Sequence, residues 1–195
     1  EKKVDINPDD LTQSSPELQE LQKGFVKFIE NPGDRRFQRT HHKITAFHDS
    51  LLSIAAREAV AGAKLITFSE GLLITPKEEE GKLIQKGVDV AMSHNVYVVL
   101  SMASFKSGKV ELGSKFLENK AMLISPSGKV EATFFKNKPV PLVEPSIPGN
   151  GEIPVVQTPF GRVALSICYD ADFPSLMRKA GQQRVDIMVL PSGDW

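Results

Sequence analysis

Apolar positions along the chain change period several times, and the changes divide it into helical and extended segments. Residues 1–15 are mostly irregular, with Val4 and Ile6 as the remnant of an edge strand. Ser14 and Glu17 then form a capping-box pattern, and Pro16 suits a first helical turn. Leu18, Leu21, Phe25, Phe28 and Ile29 continue that helix until Asn31, Pro32 and Gly33 break it. A longer helix is predicted over residues 39–61, facing inward through Ile44, Phe47, Leu51, Ile54 and Ala55. Residues 64–68 read as a buried strand, 77–94 as a helix through Leu83, Ile84, Val88, Ala91 and Met92, and 96–102 as the next strand. Strand, helix and strand at short spacing predict a parallel or mixed sheet covered by helices.

From Lys115 the period becomes two. Residues 121–125 and 129–135 read as a hairpin turning at Pro126, Ser127 and Gly128. A proline-rich loop over 139–154 leads to Val155 and Val156, then to the apolar run Val163, Ala164, Leu165 and Ile167, which ends at Cys168. Leu176, Met177 and Ala180 mark a helix beyond it, and 185–190 a last strand. Without repeat or linker, residues 1–195 read as a single domain.

Composition narrows the partners. The 24 basic residues equal the 24 acidic ones, so the chain lacks the basic footprint that nucleic acid attracts. No apolar run reaches the roughly 20 residues needed to cross a bilayer, which leaves membrane attachment to segments outside this chain. The one cysteine forms no internal disulfide, which is compatible with a reducing compartment without requiring one. Two localisations stay open: cytoplasmic, or extracytoplasmic on a membrane-anchored parent.

Cys168 sits at a strand-to-helix corner, where exposure and a helix dipole favour a thiolate; the competing reading is an inert buried thiol. Glu70 and Lys136 also follow apolar strands. Groups beyond strand ends converge in sheets with helical cover, so Cys168 would attack a carbonyl or nitrile carbon, Glu70 would take the thiol proton and later activate the incoming nucleophile, and Lys136 would stabilise the oxyanion. Taken singly, Glu70 and Lys136 also read as solvated charges. On a continuing strand Lys136 and Lys138 share one side, so position alone does not separate them. The histidines offer neither a base nor a metal site: His41 and His42 are adjacent, His48 lies within a helix, and His94 closes another. Gly149, Asn150 and Gly151 make a turn without the features of a phosphate loop.

FSEG at 68–71, Phe134, Phe135 and Lys136, and ICYDADFP at 167–174 resemble, in order, the three motifs of the nitrilase or carbon-nitrogen hydrolase superfamily. The resemblance runs from about residue 44 to 195 and includes the SPSG hairpin. It implies an α/β fold, a four-layer αββα sandwich incomplete at both ends, and a Glu70-Lys136-Cys168 triad working through a thioester without metal or organic cofactor. Family spacing selects Lys136 over Lys138.

Within the superfamily the chain looks most like the nitrilase-type domain of apolipoprotein N-acyltransferases. KNKPVPLVEP, with Glu144, resembles the loop that supplies a second acid, and PSGDW resembles that branch's segment ending in Trp195. Tyr169 and Asp170 fill the positions of its tyrosine and acid; Asp170 reads as an organiser of the turn rather than a second base. Lys138 and Pro139, and Leu142 and Val143 before Glu144, depart from its pattern. The implied partner is a small amide or an acyl donor, and a homodimer is compatible with the resemblance. Two functions follow: an enzyme that hydrolyses amides or transfers acyl groups, and an inactive nitrilase-fold binding domain.

Overall fold

The computed structural model describes residues 16–111, 113–141 and 143–193, with side chains from residue 23 onward. The expectations for Val4, Ile6, Ser14, Leu142 and Trp195 lie outside the described residues. Helix α1 (Pro16–Glu30) leads through a 3-10 turn (Arg35–Phe37) into α2 (Gln38–Val60). Strands β1 (Leu65–Thr67) and β2 (Leu73–Pro76) precede a 3-10 turn (Lys77–Glu79) and α3 (Glu80–His94). Strands β3 (Tyr97–Phe105), β4 (Leu117–Ile124) and β5 (Val130–Phe135) follow. The loop beyond Phe135 leads to β6 (Val155–Thr158), β7 (Gly161–Leu165), α4 (Pro174–Gln182) and β8 (Ile187–Val189).

The first sheet has the order β1-β3-β4-β5, with β2 sharing the edge of β3 that β1 occupies. Pairing is parallel for β1 and β2 with β3, and antiparallel for β3 with β4 and β4 with β5. A second sheet, β6-β7-β8, is antiparallel on one side of β7 and parallel on the other.

Period-two alternation sorts the first sheet's side chains. Val98, Leu100, Met102, Met122 and Ile124 form a core with Leu52, Ala55 and Ala59 of α2 and Leu83 and Ala91 of α3. Val99, Ala121, Leu123 and Phe134, on the opposite face, share a core with Val163, Leu165 and Val189 of the second sheet and Leu176 and Ala180 of α4. The layers are therefore helix, sheet, sheet and helix, the αββα sandwich. Burying the larger of these side chains contributes about 1.5–3 kcal/mol each, so the two cores dominate the fold's stability.

Two local expectations change. Ala55 is buried as expected and Leu51 and Ile44 pack against cores, but Phe47 and Ile54 are 46% exposed, and His48, Leu52 and Ala59 of α2 are buried in addition. The alanines let α2 approach the sheet closely, which turns the larger side chains of the adjoining stripe outward. Strand β2, which follows Gly71 and ends on Pro76, is an element the sequence pattern does not predict. Its register shows why it matters: β1 pairs with Tyr97–Val99 and β2 with Met102–Phe105, so the chain leaves the edge of β3 between them. Glu70 lies in that interruption, beside Gly71 at φ 61°.

Candidate active site

Three strand ends bring their following residues to one end of the sandwich. The residue after β5, Lys136, adds one more rung to the ladder, its N–H donating to the Asn119 carbonyl at 2.9 Å. Its side chain follows the phase of Phe134 toward the space between the sheets and is completely buried. Nζ donates to Glu70 Oε1 at 2.6 Å and to Glu144 Oε1 at 2.5 Å. Asn119 Nδ2 donates to the same Glu70 oxygen at 2.8 Å. Burial works against the ammonium, yet the bonds from Glu144 and Glu70 overcome it and raise the Lys136 pKa above its ordinary 10.5. Lys136 is therefore a fixed cation near neutral pH.

The strand does not continue past Lys136, which separates it from Lys138. Asp170, fully buried, accepts from the Asn137 N–H at 3.1 Å and the Lys138 N–H at 2.7 Å. Those donors turn the chain away from the ladder, and Lys138 Nζ ends 5.0 Å from the Phe173 ring centre. Burial raises the Asp170 pKa above its ordinary 3.8, and the backbone donors offset only part of that rise. Asn137 Oδ1 accepts from the Gly151 N–H at 2.6 Å, fastening the far end of the loop.

Strand β7 ends at Leu165, and Cys168 opens a 3-10 turn that runs to Asp172. Helix α4 begins only at Pro174, so the expected cysteine at the mouth of an α-helix is corrected: its dipole acts within one turn, and a separate turn intervenes. Cys168 holds φ at 44°, a left-handed conformation that costs a non-glycine residue about 1 kcal/mol or more. Its N–H donates to the Pro191 carbonyl at 2.9 Å, and the Asp170 N–H donates to the Ile167 carbonyl at 3.0 Å, which together define the turn. The neighbouring Ser192 carbonyl accepts from the Glu70 N–H at 3.3 Å, so the segment after β8 joins the cysteine turn to the glutamate turn.

Glu70, Glu144, Cys168 and Tyr169 line one cavity of about 880 Å³, together with Asn119, Ser146, Ser192 and apolar side chains including Ile74 and Leu117. Cys168 Sγ is half-buried in its wall without a hydrogen bond among the described residues. Lys136 lies behind the two glutamates. Tyr169 packs edge-on against Phe173 at 5.2 Å between ring centres. The structure thus brings Glu70, Lys136 and Glu144 into direct contact and Cys168 and Tyr169 to the same cavity, while Asp170 lies beneath the loop. No group of three or more potential metal ligands occurs among the described residues.

Asn119 escaped the sequence reading. Its signal was present: a polar residue in phase with Ala121 and Leu123 on an otherwise apolar strand face. Ser146, fully buried with Oγ unpartnered among the described residues, carried no such pattern because it lies in the irregular loop.

Residues 27–194 match the carbon-nitrogen hydrolase family. The chain belongs to that family. Sequence relatives of this carbon-nitrogen hydrolase include a formamidase from Bradyrhizobium diazoefficiens, 36% identical over 38% of this chain and 23% of that protein. A deaminated glutathione amidase from Dictyostelium discoideum is 25% identical over 59% of this chain and 42% of its own length. The chain therefore spans less than half of these curated relatives. Among solved structures, an amidase from Nesterenkonia sp. superposes with a TM-score of 0.64 at 22% identity, covering 77% of this chain and 61% of that one. At that identity the likeness establishes the nitrilase-type fold.

Proposed function

We propose that this carbon-nitrogen hydrolase domain cleaves amides with Cys168 as nucleophile, Glu70 as proton carrier and Lys136 as electrostatic support. The observation that carries the reading is the buried contact of Lys136 with Glu70 and Glu144, at the wall that also holds Cys168. The Cys168 thiol gives its proton to Glu70 as sulfur attacks the amide carbon, forming C–S and moving the carbonyl electrons onto oxygen. Lys136, held behind Glu70 and Glu144, favours the oxyanion through its charge. The C–N bond then breaks, the proton on Glu70 passes to the departing amine, and a thioester remains. Water completes the cycle by giving a proton to Glu70, forming C–O and breaking C–S to release the acid and restore the thiol. Glu144 and Asn119 hold Lys136 and Glu70, Tyr169 shapes the pocket, and Asp170 fixes the loop after Lys136.

A relative supports the choice of a cysteine nucleophile. A glutamate-to-glutamine mutant of the Nesterenkonia sp. AN1 amidase, at TM-score 0.61 and 20% identity over 77% of this chain and 63% of that one, shows Michael addition of acrylamide at its active site cysteine. The substrate proposed here is a small amide, and residues 1–195 act as one domain. With such an amide, Cys168→Ala abolishes turnover and the wild-type protein gives a thioester adduct on Cys168 in mass spectra. Normal turnover by the variant would sink the mechanism.

One observation favours N-acyl transfer, as in apolipoprotein N-acyltransferase, as a second reading. A groove of about 770 Å³ lined by Phe25, Val110, Phe116 and Val143 adjoins the cavity, sharing Val143 and Glu144 with it. Such a wall suits an apolar acyl chain. Product analysis with an amine present separates the two: transfer gives a new amide, hydrolysis the free acid.

A further inference from the structure

The cavity wall is unequal in charge. Glu70, Glu144 and Asp172 line it, and no lysine, arginine or histidine does so among the described residues. Lys136 lies behind the wall, already bonded to both glutamates, and Lys115 lines only the adjoining groove. One cation against three carboxylates leaves the wall acidic. Glu144 Oε2 is buried and accepts no hydrogen bond from any described residue. Asp172 is exposed and has neither an ion pair nor a hydrogen-bonded side chain among the described residues.

Asp172 differs from the glutamates in its origin. It ends the 3-10 turn that begins at Cys168, so the backbone that holds the thiol also holds this carboxylate at the cavity wall. The same turn contributes Tyr169 to that wall. A carboxylate and an aromatic ring on one short turn are complementary to an ammonium group, through charge and through the ring's quadrupole. A substrate carboxylate would meet a net negative wall there.

We propose that this site selects amides that carry a protonated amine, and that Asp172 is the residue that reads that charge. The inference rests on the amide-cleaving function proposed above and adds the class of substrate. A carboxylate-bearing amide is repelled by the wall, and a neutral amide falls between the two.

The test compares hexanamide, δ-aminovaleramide and adipic acid monoamide, which share a butylene spacer and end in methyl, ammonium and carboxylate. Turnover is measured as kcat/KM, and binding separately as protection of Cys168 from alkylation by neutral iodoacetamide. Both measures rank ammonium over methyl over carboxylate, with the two extremes separated by a factor on the order of ten. Asp172→Asn narrows that ratio by about fivefold. A variant that fails to fold leaves the salt dependence of the wild-type protein as the deciding measurement: raising the salt from about 0.05 to 0.5 M narrows the same ratio. A carboxylate amide that matches the ammonium amide overturns the proposal, as does a ratio indifferent to both Asp172→Asn and salt. If none of the three amides is turned over, the proposed activity fails, while the order of Cys168 protection still decides the charge selection.

Discussion

Strand β4 carries ionic clusters on its two faces, built from the same residue types and opposite in character. On the helix-facing side, Lys120 Nζ bonds Glu80 at 2.6 Å and Glu118 at 2.9 Å, and Lys77 Nζ bonds the same pair at 2.9 and 2.6 Å. That ring contains two cations and two anions. On the face toward the second sheet, Asn119 joins Glu70 to a cluster in which one lysine serves two glutamates. The ring closes on itself, whereas the other cluster keeps an unpartnered carboxylate oxygen beside a cavity. Burial of charge therefore does not distinguish a site from a strut. Imbalance does, because a spare carboxylate retains the capacity to accept a proton or an N–H.

The comparison breaks if the two clusters respond alike to losing their lysine. Lys136→Ala lowers kcat/KM by about a thousandfold in steady-state amide assays, the scale of losing an electrostatic support at a developing oxyanion. Lys138→Ala, whose amine rests over Phe173, has a far smaller effect in the same assay. Equal losses would remove the distinction between the lysines.

Lys120→Met is the reciprocal experiment. Lys120 is 2% exposed, and its loss strands Glu80 and Glu118 on Lys77 alone, costing about 3 kcal/mol in urea unfolding. Turnover per folded molecule stays near the wild-type value, because the ring does not reach the cavity.

Acid titration sharpens the contrast by its sign. Burial opposes ionisation of Glu80 and Glu118, but bonds from Lys120 and Lys77 hold both below the ordinary 4.5. Their stabilisation is present above about pH 4.5 and is lost as pH falls through the lowered values. Asp170 acts in the other direction. Burial raises it above 3.8, so its charge penalises the fold at neutral pH and the penalty is relieved as pH falls through the raised value, completely below 3.8. Glu118→Gln therefore flattens the acid limb of a stability-against-pH curve and Asp170→Asn steepens it, each by about 1 kcal/mol. The same direction in both variants would contradict these assignments.

The smallest effect checks the outer stripe of α2. Phe47→Ser on the exposed stripe of α2 changes stability by less than about 0.5 kcal/mol, while Leu52→Ala costs about 2 kcal/mol or more by thermal or urea unfolding.

What the sequence disclosed follows from what is local. Periodicity placed α3, the hairpin of β4 and β5, and α4 because each is decided within a few turns or rungs. Glu70, Lys136 and Cys168 were legible as residues after strands, and the convergence of their loops follows from the layered fold. The inward face of α2 was legible only in part, at Ile44, Leu51 and Ala55, since two adjoining stripes are apolar and Phe47 and Ile54 belong to the one that faces outward. Strand β2 was hidden because it is short, follows Gly71 and ends on Pro76, although it shapes the interruption from which Glu70 emerges. The separation of Lys136 from Lys138 depends on Asp170, more than thirty residues away in the chain, and no local pattern carries it.

The Asp170 tie also bears on the order of assembly. Its carboxylate belongs to the turn after a strand of the second sheet, and its donors to the loop after a strand of the first, 33 and 32 residues apart. A chain in which each sheet has formed separately has every group of the proposed site without the cavity that unites Cys168 with Glu70 and Glu144. Chemical competence thus arrives only when the sheets dock, a non-local step that bears the cost of loop closure before the contacts reward it. In a refolding experiment, recovery of turnover would time that docking event, while the return of secondary structure would time what precedes it.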